Sequence, residues 1–217
     1  MTTTVSKPTT IRRFNPTVWF RSRTIMAWEI VGIFFINLMG GFLHFAFELS
    51  GFQPWVAFFA SVNESTWEHL KFYFWAGILW ALIEYTYVRH EANNFIFAKA
   101  MGALVTPIVV MITFYGYLAY ALPTYGSGFL WADISTGVIG VIVGQMVSSY
   151  LLQSDQFEVR RRRIGTAVLV ILLAMFSTFT YFPPEMRLFE DYYGYTYRGE
   201  YGILEDYTDY LIFTVDE

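Results

Sequence analysis

The chain has 217 residues and a formal net charge of −4, with 55% hydrophobic, 21% aromatic and only 15% charged residues. A soluble domain carries about 25% charged residues, so this composition excludes a disordered chain and argues against an ordinary soluble domain. The absence of cysteine excludes disulfides, thiolate metal sites and cysteine nucleophiles. The negative net charge gives no reason to expect nucleic-acid binding. A polytopic membrane protein in contact with a lipid bilayer is therefore predicted.

Five stretches approach the roughly 20 apolar residues that a membrane helix requires. They run from 24 to about 48, from about 72 to 88, 100–122, 128–152 and 164–182. A sixth apolar run, 52–62, is too short to cross and predicts an interfacial or re-entrant helix. The predicted fold class is an all-α integral membrane protein with five transmembrane helices plus this short helix.

Basic residues predict the orientation, because cytoplasmic loops are enriched in Lys and Arg. With the N-terminus inside, eleven of the 14 basic residues lie on the cytoplasmic side and three outside. The C-terminus is then outside, in a bacterial inner or plasma membrane crossed several times. Three regions follow: a basic cytoplasmic leader at 1–23, a five-helix membrane domain at 24–182, and an acidic, Tyr-rich extracytoplasmic tail at 183–217.

Polar residues gather where the first span ends and the second begins. Ionisable groups at such positions are functional candidates, because the membrane disfavours them. His44 and Glu48 are one helical turn apart, and the segment 63–71 (NESTWEHLK) adds further acids and a histidine. A four-ligand site for a divalent metal (zinc, iron or manganese) is predicted from His44, Glu48, Glu64 and Glu68. The side chains predicted to support these ligands, or to serve with them in a clasp, are Asn37, Asn63, Trp67, His69 and Lys71.

A purely structural role for the same residues remains open. In this alternative Glu68 pairs with Lys71, His44 pairs with Glu48, and Asn63 caps the helix of the second span. Proton or solute handling is a third interpretation, because like-charged carboxylates four residues apart repel each other and attract a cation or a proton.

Small residues predict where helices approach each other closely. Gly40 and Gly41 lie on the first span, and the fourth span carries Gly140, Gly144 and Ser148 at intervals of four. Near the opposite membrane face, Glu29 and Glu84 are predicted to pair with Arg23 or Arg89, or to relay protons.

The segment 63–71, with His44 and Glu48 upstream, resembles an uncharacterised family of polytopic bacterial membrane proteins, a domain of unknown function. Segments 94–99, 179–184 and 201–203 also fit, so the resemblance covers roughly 25–203. The chain departs from the family at Tyr192 and Tyr193, where the family has a proline-containing stretch. The resemblance implies the membrane topology and marks the polar cluster as the family's feature, without implying an activity.

Three functions remain open from the sequence. The first is a membrane enzyme whose His/Glu cluster binds a divalent metal for hydrolysis of a lipid-like or extracytoplasmic substrate. The second is an accessory subunit of a larger membrane complex, with membrane-protein partners bound through the C-terminal tail and the cluster acting as a clasp. The third is a small solute or proton transporter, although five spans do not divide into two equal inverted repeats. Phosphate-loop, dinucleotide-binding and nucleophile-elbow motifs are absent from the sequence.

Overall fold

The computed structural model describes residues 15–212, and within this range the chain folds into five α-helices without a β-strand. In chain order they are α1 (Arg23–Leu49), α2 (Thr66–Val88), α3 (Phe95–Tyr125), α4 (Leu130–Gln153) and α5 (Val159–Thr178). Short 3₁₀ helices occur at Pro16–Phe20, Val56–Phe58, Tyr193–Tyr195 and Thr208–Tyr210. The predicted all-helical class is therefore confirmed.

Three of the helices, α1, α3 and α4, are long and apolar enough to cross a membrane. The other two contain more charge. Glu68, Lys71 and Glu84 lie within α2, and α5 begins with the four arginines 160–163. Membrane-compatible helices are thus established for three of the five predicted spans, and the full count of five stays a prediction.

The helix α2 begins two residues later than a cap at Asn63 implies. Asn63 was the predicted cap, but the Ser65 side chain accepts the backbone N–H of Glu68 and caps the helix. The Asn63 side chain accepts the N–H of Ser65 at 2.9 Å and so holds the turn before the helix. Glu64 consequently precedes the first helical turn, and the loop before α2 sets the direction of its side chain.

Residues 52–62 do not form the predicted short helix. They form a loop with a single 3₁₀ turn at Val56–Phe58. The chain reverses at Gly51 and Phe52, whose φ angles are +68° and +59°. Ala57 and Ala60 in this loop are fully buried, so the loop fills space beside the bundle.

Close packing of α3 against α4 depends on small residues. A Cβ atom at Gly144 would lie 2.0 Å from Thr106 Oγ1, and one at Gly140 would lie 2.3 Å from Val110 Cγ2. Ser148 is fully buried on the same face. On α1 the two glycines differ: a Cβ at Gly40 would meet Phe72 at 3.0 Å, whereas Gly41 has nothing within 4 Å. The close approach on α1 is therefore made at Gly40, because Gly41 points away from the bundle.

The segment after α5 folds back over the end of the bundle where α1 ends and α2 begins. Trp67 stacks on Phe176 with 4.4 Å between ring centroids and also contacts Phe189. The backbone N–H of Trp67 donates to Leu188 O at 2.9 Å, and the side-chain amide of Asn63 donates to Gly202 O at 2.8 Å. Described residues of the tail, up to 212, thus contact their own chain.

Candidate metal centre

Two helices and one loop bring His44, Glu64 and His69 together; we call these three residues the histidine cluster. His44 comes from the last turns of α1, Glu64 from the loop before α2, and His69 from the first turn of α2. One ligand atom from each residue lies within 4.8 Å of the others. His44 Nε2 is 3.6 Å from one Glu64 oxygen, and His69 Nε2 is 3.4 Å from the other. The carboxylate therefore lies between two imidazole rings.

The His69 ring is oriented by its own helix. Its Nδ1 lies 2.9 Å from the carbonyl oxygen of Ser65. A carbonyl oxygen only accepts hydrogen bonds, so Nδ1 must carry the hydrogen. In the neutral ring Nε2 then presents a lone pair toward Glu64, which is the arrangement of a metal-ligating histidine with a hydrogen-bonded second nitrogen.

Glu68, a predicted ligand, points away from the histidine cluster. It forms a buried ion pair with Lys71, and both side chains are almost fully inaccessible, at 2% and 0% exposure. Thr180 donates to Glu68 at 2.7 Å and accepts from Lys71 at 2.7 Å. The reason is helical geometry, since consecutive residues on α2 are about 100° apart and His69 takes the direction of α1.

This ion pair connects three segments. The Lys71 ammonium also donates to Ala57 O at 2.8 Å, and the N–H of Val62 donates to Glu68 at 3.1 Å. The loop 52–62, the helix α2 and the exit of α5 therefore meet at one buried charge pair. The structural alternative predicted that Glu68 pairs with Lys71, and these contacts show that pair.

Glu48, the fourth predicted ligand, accepts the backbone N–H of Ile212 at 2.7 Å. It also lines a cavity of about 50 Å³ together with His44 and Glu64, and Tyr207 and Tyr210 of the tail form the opposite wall. Glu48 is thus close to the histidine cluster without belonging to it. Burial raises the pKa of Tyr207 to about 12, so this wall is neutral at physiological pH.

A buried acid of the tail supports Glu64. Asp191 is fully buried, and its side chain accepts the Glu64 N–H at 2.9 Å and the hydroxyl of Tyr210. Burial, reinforced by Asp191, raises the pKa of Tyr210 and keeps its hydroxyl a donor. The tail is therefore part of the frame that positions the cluster.

The predicted supporting residues have other roles. Asn37 donates to Ile33 O of its own helix at 2.8 Å, and Asn63 and Trp67 hold the tail as described above. The acids at the opposite end of the bundle, Glu29 and Glu84, pair with Lys99. The prediction that Glu29 and Glu84 pair with Arg23 or Arg89 is therefore wrong. Lys99 lies one turn inside α3 and reaches both acids.

Three important residues were missed by the sequence analysis: Thr180, Asp191 and Lys99. Lys99 was counted as a cytoplasmic charge, although Lys99, Gly102 and Thr106 recur at helical spacing on the face that packs against α4. That spacing was a usable signal. The sequence contains no such signal for Thr180 or Asp191, because their partners, Glu68 and Glu64, lie more than a hundred residues away along the chain.

Comparison with known proteins adds a family and no activity. No curated protein and no solved structure matches the chain. A family model does match residues 18–203, a range that contains all five helices and the whole histidine cluster. The chain therefore belongs to the family of unknown function DUF6512.

Proposed function

We propose that this protein is a multi-pass plasma-membrane protein that binds a zinc ion through His44, Glu64 and His69 and uses it to hydrolyse an extracytoplasmic or lipid-like substrate. The observation that carries the proposal is the placement of one carboxylate between two imidazole nitrogens, at 3.6 and 3.4 Å. These separations exceed the roughly 2.7–2.9 Å of a charge-assisted hydrogen bond.

The same separations suit ligands that share an ion. Zinc binds histidine nitrogen and carboxylate oxygen at about 2.0–2.2 Å, so two ligands of a tetrahedral site are roughly 3.3–3.6 Å apart. Adjacent ligands of an octahedral ion at similar bond lengths are closer, at about 3.0 Å. The two separations involve different oxygens of Glu64, so they place each imidazole near the carboxylate without fixing a coordination number. We choose zinc over the alternatives iron and manganese because zinc sites commonly combine histidine nitrogen with carboxylate oxygen.

The donor set is that of a reactive metal site. Two histidines and one carboxylate leave a coordination position open, as catalytic zinc sites do. The adjoining cavity of about 50 Å³ has room for several waters, since one water needs about 10–15 Å³ of such space. Bound zinc lowers the pKa of a coordinated water and so supplies a nucleophile. Glu48 lines this cavity and is our candidate for the general base.

A membrane location for all five helices is part of the proposal. Besides the three apolar helices, α2 and α5 also present large apolar side chains to their surroundings, including Leu82, Val170 and Ile171 at 66%, 58% and 57% exposure. Such surfaces suit contact with lipid. With the basic residues concentrated inside, the histidine cluster lies at the extracytoplasmic face, where an extracellular substrate or a lipid headgroup can reach it.

Metal analysis of purified protein tests the proposal. After chelation, reloading with zinc and dialysis, wild type is expected to retain about one zinc per chain, and His44→Ala and Glu64→Gln are expected to lose it. His90→Ala is the matched control, because His90 is exposed in the α2–α3 loop. Glu68→Gln should keep the metal, since Glu68 points elsewhere. Wild type that binds no zinc, or equal binding by His44→Ala and His90→Ala, would refute the site.

An activity assay tests the hydrolytic part of the proposal. Metal-loaded protein is assayed against phosphate-ester and carboxyl-ester lipids, and Glu48→Gln tests whether Glu48 is the general base.

Replacing Asp191 with alanine is expected to weaken zinc binding about 10- to 100-fold, although Asp191 is not a ligand. The substitution leaves the Glu64 N–H without its acceptor and loosens the loop that aims the carboxylate. Competition titration with a zinc indicator measures the change. Asp206→Ala changes an exposed tail residue whose side chain, among the described residues, accepts hydrogen bonds from Thr208, and this variant should bind zinc like wild type. Equal affinities for the two variants would show that the tail does not support the site.

A further inference from the structure

A second cluster of ionisable groups lies at the other end of the bundle. Glu29 of α1, Glu84 of α2 and Lys99 of α3 meet in the interior; we call them the lysine triad. The exposed fractions of these residues are 3%, 0% and 9%. The Lys99 ammonium is 2.8 Å from a Glu29 oxygen and also pairs with Glu84. Two acids thus share one base out of contact with solvent.

The two acids are not equally well supplied with hydrogen bonds. Glu29 Oε1 accepts from Lys99 and from the Ser148 hydroxyl, the latter at 2.6 Å. Within residues 15–212, Glu84 contacts the Lys99 ammonium but accepts from no hydroxyl, amide or backbone N–H. Glu29 thus has two donors, both at Oε1, whereas Glu84 has Lys99 alone. A buried ionised carboxylate that shares its one cation with a second acid is disfavoured, whereas a protonated carboxyl group is neutral and becomes a donor itself.

The net charge of the triad also favours one protonated acid. If both acids were ionised, the triad would carry one uncompensated negative charge in the low-dielectric interior. The neighbouring α4 contributes Ser148 and Gln145, which are neutral, and Gln145 donates to the Glu29 backbone carbonyl at 3.4 Å. One added proton makes the triad neutral.

A cavity leads away from the triad. It measures about 40 Å³, and its polar lining comes from Lys99, Ser148, Gln145, Thr106 and Tyr73. Along α2 the lining extends from Ala81 to Tyr73, which is roughly 12 Å at 1.5 Å per residue. Its volume is enough for a few waters, at about 10–15 Å³ each. The rest of the lining is apolar, so the waters would be held by these polar groups. Such waters provide a route by which a proton reaches or leaves the triad.

From these contacts we propose that the lysine triad is a proton-binding site, in which Glu84 holds one exchangeable proton while Glu29 stays ionised against Lys99 and Ser148. The site is separate from the histidine cluster and does not depend on metal binding there. The proposal assigns the two acids opposite protonation states.

Infrared spectroscopy of the full chain in detergent or lipid tests the assignment. Wild type is expected to show the carbonyl stretch of a protonated carboxylic acid, shifting in ²H₂O and disappearing in Glu84→Gln. Glu158→Gln, at an exposed position before α5, is the control and should keep the band. A wild type without the band, a band that Glu84→Gln leaves unchanged, or a band that never shifts in ²H₂O would each overturn the proposal. Loss of the wild-type band on adding sodium at constant pH would instead identify a cation site and would also overturn it.

Thermal melting gives a second readout that does not need the infrared band. Glutamine resembles protonated glutamate, so Glu84→Gln is expected to melt at the wild-type temperature. Glu29→Gln removes the negative partner of Lys99 and is expected to lower the melting temperature clearly. The reverse order of the two variants would place the proton on Glu29 and contradict the assignment.

Discussion

Lys71→Met is expected to lower the free energy of unfolding by about 3–5 kcal/mol. The substitution removes the ammonium and leaves the Glu68 carboxyl group, only 2% exposed, without its partner in the interior. It also removes the donor to Ala57 O and Thr180, so the loop 52–62 and the exit of α5 lose their common anchor. Tryptophan fluorescence during unfolding in mixed micelles measures the loss.

Two further variants show whether the charge imbalance causes this loss. In Glu68→Gln/Lys71→Met both charges are absent. The glutamine carbonyl can still accept the Val62 N–H, and its amide nitrogen can donate to the Thr180 hydroxyl, which no longer accepts from Lys71. This double variant is expected to be more stable than Lys71→Met alone. Arg160→Met makes a similar change at an exposed position and should stay within about 0.5 kcal/mol of wild type. A double variant less stable than Lys71→Met would contradict the explanation.

The second large effect is expected at the α3–α4 contact. Gly144→Val should reduce the free energy of unfolding by about 3 kcal/mol, because its Cβ alone would lie 2.0 Å from Thr106 Oγ1 and 3.0 Å from Gly102 O. The second neighbour is backbone and cannot rotate away, so α3 and α4 must separate. Unfolding in mixed micelles again provides the measurement.

Gly41→Val is the matched control for this helix-packing prediction, because nothing lies within 4 Å of a Cβ at Gly41. Both glycines are in helices, so the change in helix propensity is the same and only the packing differs. Gly41→Val is expected to unfold close to wild type. Equal losses for the two variants would mean that the glycine at 144 does not limit how closely the helices approach.

The nine-residue segment 63–71 contributes to two arrangements that were predicted as alternatives, a candidate metal site and a structural clasp. Glu64 and His69 turn toward α1 and form the histidine cluster, whereas Glu68 and Lys71 turn toward Thr180. Both arrangements coexist because successive positions on a helix point about 100° apart. The proposed metal site and the structural ion pair therefore do not compete for the same side chains.

The sequence by itself determined the features that arise from composition and local periodicity. These are the all-helical class, the membrane-compatible helices, the small-residue face of α4 and the gathering of polar residues between the first two helices. Each depends on neighbours a few positions apart, which is the range over which hydrophobic period and helix geometry act. Membership of an uncharacterised family was predicted from short motifs, and a family model of unknown function does match residues 18–203.

Only the tertiary structure decided which polar residues meet. His69, and not the predicted Glu68, lies beside His44, and Glu84 pairs with Lys99 and not with an arginine. The rotation of each helix about its axis selects these partners. Asp191 and Thr180 come from the end of the chain to support residues of α2 and the loop before it. Such partners are chosen when buried charges and donors must be satisfied within the packed bundle. This requirement depends on the arrangement of all five helices at once, so no local pattern in the sequence contains it.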